Sequence, residues 1–246
     1  MKKLTFIILS LFLINCNYKS IDKSGLKGKV KKCTEYKINI NDESEKDTFS
    51  ITTNIYNRNG LLVNQLMELK NGKSFKQDFI YNNNEKLIKE INYFDKNKII
   101  VNYEYKDTLL IGAYSNFKSD TIATIMNEKY HYSNNNKLDR VYYSQIIISD
   151  DDTTTFVKKS YYDKNEKLNK LVSQWNSKYD STFNKTKFEY NKFGLFSKSS
   201  DFNKSDSLIG TDEFKYVYDD NGSWVQKEIF RNDTLKYIYT RKIEYK

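Results

Sequence analysis

A tyrosine followed at position +6 by a hydrophobic residue recurs seven times along this 246-residue chain, and no other feature narrows the fold as far. The pairs are Tyr56 with Leu62, Tyr81 with Leu87, Tyr105 with Ile111, Tyr132 with Leu138, Tyr162 with Leu168, Tyr190 with Phe196 and Tyr218 with Trp224. Their starts lie 25, 24, 27, 30, 28 and 28 residues apart, and Tyr245 stands where an eighth unit would open. A period of this size marks a repeat architecture, in which each unit covers its apolar face only by stacking on its neighbours.

The residues leading into the tyrosines show that the unit is built of strands. Tyr103 and Tyr105, Tyr130 and Tyr132, Phe188 and Tyr190, Tyr216 and Tyr218, and Ile243 and Tyr245 stand two apart, so each pair projects from one face of a pleated strand. Tyr, Phe, Ile, Val and Thr suit a half-buried sheet, and helical spacing of apolar residues is absent after the N-terminal segment. Between each tyrosine and its +6 partner lies turn chemistry, such as Asn59-Gly60, Asn221-Gly222 and the asparagines at 82–84 and 134–136. The tyrosine and its partner are therefore expected to face each other across a hairpin and to pin its register. A second set of turns, at Asn71-Gly72, Asp95, Asp120, Asp150-Asp151-Asp152, Asp180 and Asn232-Asp233, returns the chain at the other end.

Each period is thus two strands and two turns, and the whole reads as an all-β, antiparallel up-and-down meander of about sixteen strands. Strands at 29–40 and 235–245 complete the series. The chain has no proline, a residue that commonly protects exposed sheet edges. So long a meander is expected to curve strongly and to be able to close into a soluble barrel, with 29–40 meeting 235–245. An open twisted ribbon is the alternative. A membrane-spanning porin is disfavoured, because Lys89-Glu90 and Lys227-Glu228 put charges on both faces.

The N-terminus carries a different signal. Lys2 and Lys3 precede an apolar run at 4–14, a pattern of export rather than structure. It ends in Leu13-Ile14-Asn15-Cys16, which resembles the lipobox of bacterial lipoproteins. The resemblance implies a signal peptide at 1–15, lipidation of Cys16 (palmitate among its acyl chains), a tether at 16–27 and a single β-repeat domain at 28–246. Two or more acyl chains anchor stably at ~0.8 kcal/mol per buried CH₂. The expected location is the bacterial cell envelope, on the outer membrane and facing the periplasm. Cys33 then has no disulfide partner within the chain and reads as a small buried hydrophobe on a strand.

The unit is best formed at Tyr218-Asp219-Asp220-Asn221-Gly222-Ser223-Trp224, which resembles the YD repeat of the RHS family over roughly 46–245. The run Leu26-Lys27-Gly28-Lys29-Val30-Lys31 ahead of a strand resembles the start of small bacterial lipoproteins built from such repeats. Those relatives imply a porin-like barrel and no assigned activity. The chain is too short for the toxin-enclosing shell of full RHS proteins.

Catalytic chemistry finds little support. Lys and Arg number 41 against 32 acids, but the lysines are spread evenly, as on a solvated sheet, and no nucleic-acid partner is expected. The single histidine, His131, alternates with Tyr130 and Tyr132 and so faces away from them. One histidine and one free cysteine cannot assemble a zinc site, and no cofactor loop or nucleophile elbow is present. Asp150-Asp151-Asp152 lacks the glycine-punctuated spacing of a calcium loop.

The surplus of aromatic residues is a lead to binding. With 21 Tyr, 15 Phe and 2 Trp, some rings must lie outside the repeat pairs. Trp175, an odd number of residues after Leu168, is expected on the opposite face, and Trp175 and Trp224 are the candidate ligand or partner contacts. The expected function is a non-enzymatic, lipid-anchored envelope protein that binds a partner, glycan or small ligand through its β-surface or interior. A purely structural scaffold and a carboxylate-based hydrolase are the alternatives.

Overall fold

The protein is described here by a computed structural model covering residues 25–40, 46–94, 97–119, 122–149 and 152–246. Sixteen antiparallel strands form one closed barrel. In chain order they are β1 (Val30–Ile40), β2 (Lys46–Tyr56), β3 (Leu62–Leu69), β4 (Ser74–Tyr81), β5 (Leu87–Phe94), β6 (Asn97–Lys106), β7 (Leu109–Lys118) and β8 (Ile122–Tyr132). They continue as β9 (Leu138–Ser149), β10 (Thr153–Tyr162), β11 (Leu168–Asn176), β12 (Ser181–Tyr190), β13 (Phe196–Phe202), β14 (Leu208–Tyr218), β15 (Trp224–Arg231) and β16 (Thr234–Tyr245). Each strand pairs with the next, and β16 returns to pair with β1 from Val30↔Tyr245 to Asn39↔Tyr237. Closure leaves no unpaired edge, which is how a sheet without proline avoids pairing with other chains. The open ribbon is excluded.

The repeat works as a hairpin pin in six of its seven units. Tyr56↔Leu62, Tyr81↔Leu87, Tyr132↔Leu138, Tyr162↔Leu168, Tyr190↔Phe196 and Tyr218↔Trp224 are direct cross-strand partners at one rim. Tyr105 instead pairs with Leu110, because its turn is one residue shorter, and the expected partner Ile111 is exposed. In the longer turns the fourth residue after the tyrosine is left-handed: Gly60, Glu85, Asn136, Glu166, Gly194 and Gly222. The first residue after it commonly braces the turn through its side chain. Asn57 Oδ1 accepts from the N–H of Asn59 and Leu61, and Asp219 Oδ1 accepts from Asn221 and Ser223. Phe202 to Leu208, with Asp206 left-handed, is built the same way at the opposite rim, and Glu68 to Ser74, with Gly72 left-handed, shares the closure there without a register slip.

Each such turn slips the register by one residue at the tyrosine, as between Tyr161 and Tyr162. A slip reverses which residues face inward, and its effect on the site is described below.

The tyrosines also tie neighbouring hairpins together. Tyr81 OH donates to Leu62 O at 2.8 Å, Tyr105 to Leu87 at 3.0 Å, Tyr132 to Leu110 at 2.8 Å and Tyr190 to Leu168 at 2.7 Å. Each hydroxyl thus reaches back to the apolar partner of the preceding unit. The result is a ring of stitches inside the tyrosine rim.

The chain ahead of β1 closes part of this rim. Leu26 is 1% exposed, although it lies in the stretch that reads as a tether, and it packs with Val30, Cys33 and Tyr56. Lys27 N donates to Ser223 Oγ at 2.7 Å, and Trp224 N to Gly25 O at 3.2 Å. Gly25 has φ +71°, and a Cβ there would stand 2.3 Å from the Trp224 ring. Only glycine fits both the backbone and the contact. Cys33 is a free, fully buried thiol whose pKa burial pushes up to about 11, the inert hydrophobe expected from the sequence.

Candidate functional site: a charged and aromatic lumen wall

The ladder registers sort every strand into an inner and an outer row. Outward positions are mixed: Lys89, Asn102 and Tyr114 share one row, as do Lys170 and Lys187, Lys198 and Glu213, and Lys215 and Glu228, while Ile80, Ile125, Ile146, Ile148 and Val157 are exposed apolar residues on the same face. His131 is outward, with Tyr142 edge-on to its ring at 5.0 Å. The adjacent charges Lys89-Glu90 and Lys227-Glu228 do divide between the two faces. Glu90 and Lys227 point inward.

The interior is filled on one side. Val101, Ala113, Met126 and Tyr143 form a buried cluster flanked by Tyr103 and Phe156. Gln77, Glu90, Gln145 and Lys158 are buried with it. Glu90 accepts from Gln77 Nε2 at 3.0 Å and Tyr103 OH at 2.9 Å. Glu128 accepts from Tyr130 OH at 2.6 Å, while burial raises its pKa. A void of about 40 Å³ is all that remains beside Gln77, Ser115 and Gln145.

The inner wall of β14, β15, β16 and β1 is different: most of its side chains keep partial exposure, although Trp224 is buried and Arg241 and Lys227 lie deep in it. One row across it reads Ser50, Lys37, Tyr239, Lys227, Tyr216. The neighbouring rows bring Glu35 beside Arg241, and Asn39 beside Tyr237 and Ile229. Lys37 Nζ lies 4.3 Å from the centroid of Tyr237 and 5.8 Å from that of Tyr239. Lys227 Nζ lies 3.9 Å from Tyr239 and 5.0 Å from Trp224. The Arg241 guanidinium sits 3.3 Å from the Trp224 centroid and donates from Nε to Glu35 at 2.8 Å. Ring faces hold these cations in place, at about 0.5–2 kcal/mol each.

The charges on this wall are unbalanced. Among the described residues, three cations face one carboxylate, and Glu35 is already bonded to Arg241. Among the described residues, neither Lys37 nor Lys227 has a carboxylate within ion-pair distance. Burial lowers the Lys227 pKa from 10.5 to about 8; Glu35 opposes the shift, while Arg241 and Lys37 add to it. Burial also lowers Lys37. By contrast, in the adjoining patch on β13 to β15 one cation is paired with two carboxylates. Arg231 Nη1 donates to Asp201 at 2.7 Å and Asp212 at 3.1 Å, with its guanidinium lying over Gly210, where a larger residue would displace it.

The candidate residues fall differently from their expected places. Trp175 is on the inner face, opposite Thr182 and 6.1 Å from Phe156, not on the far face from the repeat pairs. The register slip at Tyr162 inverts the count, so the odd spacing from Leu168 leads to the same side. Trp224 is 3% exposed and covered by Arg241 and Gly25, which makes it the support of the wall rather than its contact surface. Cys16 lies outside the described residues, as do Asp150 and Asp151. Asp152 braces a turn, accepting from Lys178 N at 2.9 Å. Among the described residues, no three His, Cys, Asp or Glu side chains are grouped as metal ligands would be. Lys37 and Arg241 went unnoticed in the sequence, and Lys227 reads there only as a sheet-face charge. The available signal was a cation on an aromatic two-residue period, as in Tyr237, Tyr239, Arg241, Ile243 and Tyr245.

No family model matches the chain, and no curated protein matches it. Among solved structures, it is similar to a porin-like protein from Bacteroides vulgatus (12% identity, TM-score 0.53, covering 86% of this chain and 97% of that one). A porin-like protein from Bacteroides uniformis aligns at 13% identity and TM-score 0.39, over 89% and 99%. At this level of identity the first likeness is one of fold: the chain is built as a porin-like β-barrel.

Proposed function

We propose that this chain is a non-enzymatic, lipid-anchored protein of the bacterial envelope whose barrel stands in water and holds a small ligand in its lumen. The observation that carries the reading is the half-open wall of β14 to β1, where cations and aromatic rings line an interior that water reaches. A few placed polar groups among rings is the usual make-up of a small-molecule site.

The outer face supports a barrel in water rather than in lipid. Lys185 and Glu228 put charge at the middle of β12 and β15, where a lipid-facing lysine costs about 2–4 kcal/mol; the remaining outward lysines of these rows lie within three residues of the tyrosine rim, and β7 to β10 expose Tyr114, Ile125, Ile146, Ile148 and Val157. Attachment through lipid on Cys16 supplies membrane residence without a spanning wall. The packed half of the lumen favours a second reading, a scaffold with no ligand.

Two measurements test the proposal. Cys16→Ala should move the protein from the membrane fraction to the soluble one, and continued resistance to carbonate extraction would refute the tethered barrel. Native mass spectrometry of the mature chain purified from its own envelope should show a bound small molecule. A bare chain that no envelope extract stabilises against heat would leave the scaffold as the better account.

A further inference from the structure

We infer that the lumen wall formed by Lys37, Lys227, Tyr237 and Tyr239 is a binding site for a small organic anion, an oxyanion group carried on a flat ring or sugar. The inference rests on the lumen reading above and adds the ligand's chemistry to it.

The geometry supplies each part of the recognition. Lys37 and Lys227 occupy one inner row on either side of Tyr239, and both ammoniums lie within 6 Å of its ring centroid. The Tyr239 ring is thus shared by two like charges. The one carboxylate within reach, Glu35, is committed to Arg241, whose guanidinium in turn lies on Trp224. Two ammoniums are thus left with ring faces and no direct ion pair among the described residues, Glu35 acting on both only at a distance, and an oxyanion reaching either ammonium would supply one. Tyr237 and Tyr239 offer half-buried rings beside the charges, against which a flat ligand can stack. Leu26 and Trp224 are buried at the tyrosine rim, and Phe49 stands exposed 4.9 Å from Lys37 Nζ on the far side of the wall.

The neighbouring patches do not share this property. Arg231 is satisfied by Asp201 and Asp212. Lys158 lies buried in the packed half near Glu128. Among the described residues, the lumen charges are therefore segregated, and the wall of β15, β16 and β1 keeps a positive surplus. Groups facing Lys227 from the adjoining strands are Glu35 and Lys37 of β1, Tyr239 and Arg241 of β16, and Tyr216 of β14. An anion in place would hold the proton on Lys227, whose pKa is otherwise depressed by burial.

The test uses three probes with one ring: 4-nitrophenyl phosphate, 4-nitrobenzoate and the neutral 4-nitrophenyl β-D-glucoside, titrated by calorimetry and by NMR into the mature chain. Binding of either anion, at least tenfold tighter than the glucoside, is expected. The two anions between them separate phosphate from carboxylate recognition. Lys227→Gln and Lys37→Gln should each weaken binding at least tenfold while the barrel's circular dichroism stays unchanged, and Lys227→Arg should retain most of it. Affinity for the better anion should fall at least tenfold between pH 7 and pH 9.5. Equal or tighter binding of the glucoside, unaffected by the lysine variants, would overturn the anion assignment and leave the lumen reading intact. Absence of binding by all three probes at millimolar concentration would also overturn it, and the native mass spectrum then decides the lumen reading separately.

Discussion

The ring of tyrosine hydroxyls can be weighed by removing one oxygen at a time. Tyr132→Phe deletes the donor to Leu110 O at 2.8 Å, and Leu110 is 6% exposed, so water gains little access to the stranded carbonyl. A net hydrogen bond contributes about 0.5–1.5 kcal/mol, and an acceptor left without its partner pushes the cost towards about 2 kcal/mol. Tyr190→Phe removes the 2.7 Å bond to Leu168 O and should cost about 1 kcal/mol, because Leu168 is only half-buried. Tyr218 provides the internal control. Its hydroxyl meets only Asn191 Nδ2 at 3.5 Å, and its ring packs on Phe193 at 4.8 Å, a contact that phenylalanine keeps. Tyr218→Phe should therefore cost less than about 0.5 kcal/mol. Urea unfolding followed by circular dichroism reads all three as midpoint shifts at constant slope. Equal losses at Tyr132 and Tyr218 would show that the rings, and not the hydroxyl stitches, stabilise the rim.

Two further outcomes follow from the interior. Lys227→Met should stabilise the barrel at pH 7 by about 1–2 kcal/mol, the 10.5 to about 8 depression being worth about 3 kcal/mol before discounting for water at the ammonium. The unfolded chain keeps that proton to higher pH than the folded one, so wild-type stability rises relative to the variant between about pH 8 and 10.5. The variant's advantage is complete below that window and gone above it, and a constant advantage across it would contradict the burial of this charge. Cys33, fully buried with its pKa pushed up to about 11, should resist a thiol-specific disulfide reagent at pH 8 in the folded state and react at once in urea. Comparable rates in both would disprove its burial.

The Lys227 prediction also bears on function. A side chain that lowers stability yet sits on an otherwise favourable aromatic wall fits a binding role better than a packing role. Nothing in the fold requires that charge, because the opposing rows at Phe214, Ile229 and Tyr237 fill the same face with rings and aliphatic groups.

Much of the architecture is legible in the sequence because its determinants are local. The alternation before each tyrosine, the asparagines and glycines after it and the +6 partner all act within one hairpin, so strand count, order and pairing can be read directly. Even the closure of 29–40 on 235–245 follows from one long meander without prolines. Tyr105 escaped because losing one turn residue moves its partner from Ile111 to Leu110, which no periodic pattern resolves. Trp175 escaped because a register slip inverts the in-and-out count, and such a slip is fixed by cross-strand hydrogen bonding rather than by residue type.

The sequence by itself determined that this chain is an all-β meander of sixteen strands, since period-two alternation and turn chemistry are local properties of neighbouring residues. Only the tertiary structure decided which half of the barrel is packed and which lumen charges lack partners. Lys37 and Lys227 lie far apart in the chain, and it is the closing seam of β1 on β16 that brings them to opposite sides of Tyr239.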